Sequence, residues 1–347
     1  MALSRQRPTT NQAARKRTRA VGRGGTVIPV DSEDLEVAVG EKRVHLTHLQ
    51  KPFWPELGLT KGDLIRYYAD IAPVLLPHLA QRAMVMKRYP NGAAGKFFFQ
   101  KRVPEPHPDW LQICPIEHPA AGLVAFPVIR DLPSLLWIIN LGCIDLNPWY
   151  ARCDDVNRPD YLHFDLDPAP GAGFKQVCET AMVVHQALDT LDMPNFAKTT
   201  GSRGIHVYVP IERGPSQKEV WAFAKELAQS LAVLRPELIT AEYRIGKRPR
   251  GRVLVDYNQN AWGRTLASVY SVRPTALATV SAPVSWTEVR RGIQLADFRL
   301  QNMRARIRKV GDLWEPLLQS RGRYNLVELL GAGKPPTTER LKPASIG

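Results

Sequence analysis

Two aspartates stand two positions apart in HFDLDP, residues 163–168, at the end of an otherwise apolar run. Side chains alternate across a strand, so Leu162, Phe164 and Leu166 share one face while His163, Asp165 and Asp167 share the other. The same parity in GIHVYVPI, residues 204–211, turns Ile205, Val207, Val209 and Ile211 inward and His206 and Tyr208 outward. In RVLVDY, residues 252–257, Leu254 and Asp256 oppose Val253, Val255 and Tyr257. If the three strands lie side by side, Asp165, Asp167, His206 and Asp256 converge on one face. Carboxylates at i and i+2 with a third from another strand suit hard divalent cations, which take oxygen ligands and keep positions open for phosphate oxygens. The D-x-D alone supports only a strand-ending turn. Asp256 shifts that balance, because a carboxylate in apolar surroundings is costly without a cation or partner.

A second constellation is KTTGSRGIH, residues 198–206. Its glycines let backbone amides approach an anion, and its hydroxyls and the cations Lys198 and Arg203 suit phosphate oxygens. Taken alone it also reads as turn chemistry, and it lacks the spacing of a P-loop.

The elements that must position these residues alternate after Asp160. A strand over 161–167 precedes an amphipathic helix over 174–192, a strand over 204–211 precedes a helix over 216–234 opened by a Ser216/Glu219 capping box, and a strand covers 252–257. A basic helix is expected over 300–310. Upstream, strand pieces fall over 35–49, Thr60 caps a helix with Asp63 three residues on, and strands are expected at 82–90 and 94–102. Residues 104–119, rich in Pro and His, read as a loop, and the continuous apolarity of 131–146 reads as one buried helix. Alternation of this kind by itself suggests a parallel α/β sheet.

The chain has 347 residues and a formal net charge of +14, which points to a polyanionic partner. Residues 1–30 carry Arg5, Arg7, Arg15, Lys16, Arg17, Arg19 and Arg23 with no acidic residue, and read as a disordered basic arm. No run reaches the roughly 18 apolar residues of a membrane span, and residues 1–30 lack the uninterrupted hydrophobic stretch expected of a secretory signal. Cys114, Cys143, Cys153 and Cys178 are scattered without a C-x-x-C pair, which reads as reduced thiols in a cytoplasmic protein.

Taken in order, HFDLDP, KTTGSRGIHVYVP and VLVDYNQNAWGRTLASVYSVRP resemble the polymerase domain of bacterial ligase D, of the archaeo-eukaryotic primase superfamily used in non-homologous end joining. LTHLQKPFWPELGLTKGDLIRYYADIAPVLLPHL, MKRYPNGAAGKFFFQK and LLWIINLGCIDLNPW extend the resemblance over residues 35–317. It implies an α+β primase-polymerase fold, with an RRM-like antiparallel catalytic sheet over 156–320, a packed N-terminal α/β module over 31–155, and a loose tail over 321–347. The implied catalytic, metal-binding triad is Asp165, Asp167 and Asp256, holding two Mg2+ or Mn2+ ions. Thr200, Gly201, Ser202, Arg203, His206 and Arg273 would line the nucleotide pocket. Thr200 and Arg203 stand where the family usually has Ser and Lys, and Asn147 stands where it has a histidine near the end of the Trp137 helix.

The family holds a 5′-phosphate at a gap or break with two lysines ten residues apart, a spacing kept by Lys51 and Lys61. Phe98 and Phe99 match an aromatic pair that stacks on template bases, with Lys87 as a further phosphate contact. The implied activity is template-dependent nucleotidyl transfer that fills gaps or extends ends with NTP or dNTP, preferring ribonucleotides. The alternative is a non-catalytic module that binds DNA breaks at the 5′-phosphate. Expected partners are gapped or broken DNA, Ku and a separate DNA ligase, for a monomer associated with the bacterial nucleoid. A stand-alone paralogue and a domain of a larger protein both remain open, the basic arm favouring the former.

Overall fold

Two helices of the expected kind tether the C-terminal half. Phe174–Thr190 buries Val177, Ala181, Val184 and Leu188, and Gln217–Leu234, capped by Ser216, buries Val220, Phe223, Leu227 and Leu231. These apolar stripes recur at helical spacing and lie against Leu162, Phe164, Leu166, Val207 and Val209 of the sheet, all fully buried. Burying one such Leu or Phe side chain contributes roughly 1.5–3 kcal/mol, so the two stripes anchor the strands that carry the aspartates.

The computed structural model describes residues 18–20 and 28–331. Its central sheet runs in the order Ile239–Thr240, Val253–Asp256, Tyr161–Pro168, Ile205–Pro210, Phe196–Thr199, Pro283–Val284. All neighbours are antiparallel except the first pair. The parallel sheet that alternation suggests is therefore not formed. The helix Phe174–Thr190 does connect two strands of the same direction, but the returning strand Ile205–Pro210 slots between them and makes both contacts antiparallel.

In the N-terminal half, Thr60 and Asp63 form the expected capping box on the helix Lys61–Leu79. The strand Met84–Arg88 pairs with Phe98–Gln100 on one side and Cys143–Pro148 on the other. The helix read over 131–146 spans only Leu132–Asn140; after a turn at Leu141 and Gly142 the chain continues as the strand Cys143–Pro148. Uniform apolarity could not separate a buried helix from a buried strand. Within the loop read over 104–119, Ile113–His118 forms a hairpin with Gly122–Pro127.

The cysteine reading also changes, because Cys114 and Cys153 are joined by a disulfide with Cα atoms 5.8 Å apart, while Cys143 and Cys178 are free and buried. A separation of 39 residues carries no motif, and the hairpin brings the pair together. Of the arm read over 1–30, Thr18–Ala20 forms a strand parallel to Leu35–Val39 and Ile28 enters the core; residues 1–17 and 21–27 lie outside the described residues, as do those beyond 331. One core runs through both halves. Tyr67 and Tyr68 of the Lys61–Leu79 helix donate to the carbonyls of Tyr270 and Ile144, and Tyr68 accepts from the Val272 amide. Among the described residues no helix is long and apolar enough to cross a membrane.

Candidate active site

Strand register places the acidic cluster. Asp165 lies directly opposite Asp256 on one side and His206 on the other, so three of the four residues that parity put on one face meet there directly. Asp167 is two residues on, opposite Leu254. The face expected to look outward is itself covered: His163, Asp165, His206 and Tyr208 are all buried, beneath Trp314 and the segment around Ser268 and Ser281.

Burial pushes the Asp165 carboxyl up to about 6, against the pull of Lys198, Arg273, Arg203 and Arg248. Burial, reinforced by the charges of Asp165 and Asp256, pushes Asp167 up to about 6 as well. Asp256 is raised chiefly by burial, although it accepts hydrogen bonds from the Asn258 amide at 2.8 Å and Gln259 Nε2 at 3.0 Å. Asp165 Oδ1 is buried without a hydrogen bond, 3.2 Å from His206 Nε2 but off its axis. Crowded oxygens that cannot shed charge to water fit a hard divalent cation. Both Asp256 oxygens are engaged by the chain itself, and among the described residues no three such side chains are gathered around one point.

The loop 200–204 folds against this cluster. Thr200 Oγ1 accepts from the amides of Ser202, Arg203 and Gly204, so its hydroxyl organises the turn from within rather than standing free. Ser202 and Arg203 are exposed at the tip. Gly201 sits at φ +65°, where a Cβ would meet Arg273 Cγ at 2.7 Å, and a Cβ on Gly204 would meet the Leu166 carbonyl oxygen at 2.1 Å. The loop can lie this close to the backbone between the two aspartates only with glycine at 204. Arg273 Nη1 donates to the Thr200 carbonyl at 2.6 Å, and its Nε lies 3.3 Å from buried Asp145.

Asp145 is a residue the sequence reading missed, although a lone acid inside the apolar run IINLGCIDL was its signal. It faces Lys87 at 4.0 Å as well as Arg273, and so joins the N-terminal sheet to the loop 200–204 that Arg273 holds. Arg248 was missed too; it lies near enough for its charge to act on all three aspartates, from the basic segment 244–252. Asn147 lies on the strand Cys143–Pro148, not at a helix end, and its Nδ2 donates to the Asp145 carbonyl at 3.0 Å.

Lys51 and Lys61 form a separate patch. Lys61 opens its helix, buried, with Nζ donating to the Thr47 carbonyl at 2.7 Å; burial and then the Lys51 charge push it down to about 8. Lys51 Nζ donates to Asn91 Oδ1 at 3.2 Å. Phe98 and Phe99 are exposed on opposite faces of their strand. Phe99 forms an edge-on pair with exposed Phe97, with Lys87 Nζ 4.2 Å from the Phe97 ring centre, while Phe98 carries Arg88. Phe97 therefore shares the Phe99 face, which strand parity over the KFFFQK run could have indicated.

The model of the LigD primase-polymerase domain matches residues 60–314. The chain belongs to the LigD primase-polymerase family. It is 34% identical over 278 residues to the multifunctional non-homologous end joining protein LigD of Mycolicibacterium smegmatis, covering 80% of this chain and 36% of that protein. The bifunctional LigD of Bacillus subtilis is 30% identical over 270 residues, 78% of this chain and 43% of that protein. The chain thus spans less than half the length of these relatives. The polymerase domain from Mycobacterium tuberculosis ligase D, solved in complex with DNA, superposes with a TM-score of 0.75 at 32% identity, covering 80% of this chain and 99% of that one. LigD polymerase domains are metal-dependent, DNA-directed nucleotidyltransferases of non-homologous end joining.

Proposed function

We propose that this chain is a template-dependent nucleotidyltransferase that fills short gaps or extends ends at broken DNA, with Asp165, Asp167 and Asp256 holding two Mg2+ or Mn2+ ions. The observation that carries this reading is the register that sets Asp165 opposite both Asp256 and His206, with two of the carboxyls pushed up to about 6. When bound, such ions would activate the primer 3′-hydroxyl and stabilise the leaving pyrophosphate. Ser202, Arg203 and His206 bind the triphosphate, Thr200 and Gly201 shape its loop, and Arg273 braces that loop through the Thr200 carbonyl. Lys51 and Lys61 take the 5′-phosphate, Phe98 and Phe99 offer their rings to template bases from the two faces of their strand, and Lys87 is a further phosphate contact on the Phe99 side. The ribonucleotide preference is carried over from the family, as is action beside Ku and a separate ligase at the bacterial nucleoid.

Primer extension on a gapped, 5′-phosphorylated duplex with Mn2+ and each NTP and dNTP tests the reading. The unmodified protein is expected to extend, with ribonucleotides ahead, and an Asp165→Ala/Asp167→Ala variant is not. Retained binding of the gapped duplex without any extension would leave only the break-binding module.

A further inference from the structure

Asp145 sets a carboxyl group in the interior, and nothing in the chemistry proposed so far uses it. It is 1% exposed, and its Oδ1 has no hydrogen-bond partner among the described residues. A bulge between Cys143 and Asp145 adds one residue to the strand and so places Asp145, rather than Ile144 alone, opposite Lys87. Lys87 is in turn opposite Phe99, so acid, cation and ring form one row across three strands. Lys87 Nζ stands 4.0 Å from Asp145 Oδ2, and Arg273 Nε stands 3.3 Å from the same oxygen. The Arg273 stem lies where a Cβ on Gly201 would touch it, and its Nη1 donates to the Thr200 carbonyl at 2.6 Å.

Stability does not account for the acid. A buried ion pair gains little over apolar residues of similar volume, because desolvation offsets the attraction. Nor is the carboxyl needed to fasten its strand, since the Leu146 amide donates to Ser271 Oγ at 3.0 Å and the Ser268 amide donates to the Leu146 carbonyl at 2.8 Å. What it adds is direction. A guanidinium is planar and stays charged, so a carboxyl beside Nε and a carbonyl at Nη1 hold it from two sides. We infer that Asp145 is a positioning residue which, acting through Arg273, fixes the loop 200–204 for the incoming nucleotide and ties that loop to the Lys87 and Phe99 row. Its effect on nucleotide use rests on the function proposed above; its hold on the guanidinium does not.

Asp145→Asn keeps the shape and removes the charge. In primer extension it should raise KM for the incoming nucleotide about tenfold or more with kcat little changed, within the span that partners in one ion-pair network show. The same change made in Arg273→Met should cost little more, whereas fully additive losses, or a loss in kcat alone, would mark a merely structural acid and overturn the inference. The spectroscopic test uses the intact protein labelled with 15N-arginine, the Arg273 Nε–H signal being assigned by its loss in Arg273→Met. That proton should exchange slowly with water in the unmodified protein and clearly faster in Asp145→Asn; an unchanged rate would overturn the inference even if activity fell. Asp145→Ser, smaller and neutral, replaces Asp145→Asn should the latter not fold, with the same outcomes required. If the unmodified protein extends no primer, the proposed function falls, and the arginine signal by itself decides whether Asp145 sets that guanidinium.

Discussion

Lys61 shows how one residue's surroundings set its working range. With burial and Lys51 pushing it down to about 8, its ammonium is largely present at pH 7 and is lost as pH rises through that value. A site that depends on this charge should prefer a 5′-phosphate over a 5′-hydroxyl at pH 7 and lose the preference toward pH 9. Competition binding of the two gapped duplexes across that range checks this, and a preference unchanged to pH 9 would remove Lys61 from the phosphate site. Gly204 gives a steric prediction at the same scale. A methyl group there would meet the Leu166 carbonyl oxygen at 2.1 Å, so Gly204→Ala should displace the loop from the aspartates. Nucleotide incorporation should drop far more than thermal stability. A variant with normal kcat/KM would show that the close approach is dispensable.

Among the elements, the helix Gln217–Leu234 depends on a cap whose two halves answer each other, Ser216 accepting from the Glu219 amide and Glu219 accepting from the Ser216 amide at 2.7 Å. Ser216→Ala should cost about 0.5–2 kcal/mol, read as a lower denaturation midpoint at unchanged m-value. Because this helix packs on the central strand, the loss belongs to the scaffold, and kcat/KM below the melting range should be unaffected. The hairpin Ile113–Pro127 is anchored differently, by the Cys114–Cys153 disulfide and by a small satellite core with Phe126 and Trp149.

Over the whole molecule, buried charge ties the chain's distant parts together. Asp160 accepts from Arg82 Nη2 at 2.7 Å and Arg152 Nε at 2.9 Å, and Arg323 Nη1 donates to its carbonyl at 2.8 Å. Burial alone would raise the Asp160 carboxyl, but the two guanidinium groups more than offset it and hold it below the ordinary carboxylate value. A depressed folded-state pKa contributes stability that is present above the unfolded value, about 3.9, and is lost as pH falls through the folded one. Asp312, held down in the same direction by His78 and Tyr270, adds to that acid sensitivity. Asp160→Ala strands the buried Arg82 guanidinium, while the partly exposed Arg152 can turn to water, and should destabilise by about 3–5 kcal/mol. Denaturation at neutral pH measures this, and a loss under 1 kcal/mol would mean that water reaches the arginines.

The sequence determined the parts whose physics is local. Alternation placed Asp165, Asp167, His206 and Asp256 on matching strand faces, and the caps at Thr60 and Ser216 marked where helices begin. Strand order was not local, since the short strand Phe196–Thr199, which the sequence reading did not include, follows the helix, and Ile205–Pro210 returns between it and Tyr161–Pro168. Nor was burial of the polar face legible. Period-two alternation distinguishes two faces without saying whether the polar one meets water, and here Trp314 and the Ser268–Ser281 region, from far along the chain, cover it. That cover raises the Asp165 carboxyl and encloses Lys198 with its three hydrogen-bond partners, and it also lets Asp145 reach Arg273. Residue types and their spacing thus determined which groups could do the chemistry. Only the tertiary structure decided their charge and hydrogen bonding, because both depend on solvent excluded by segments remote in sequence.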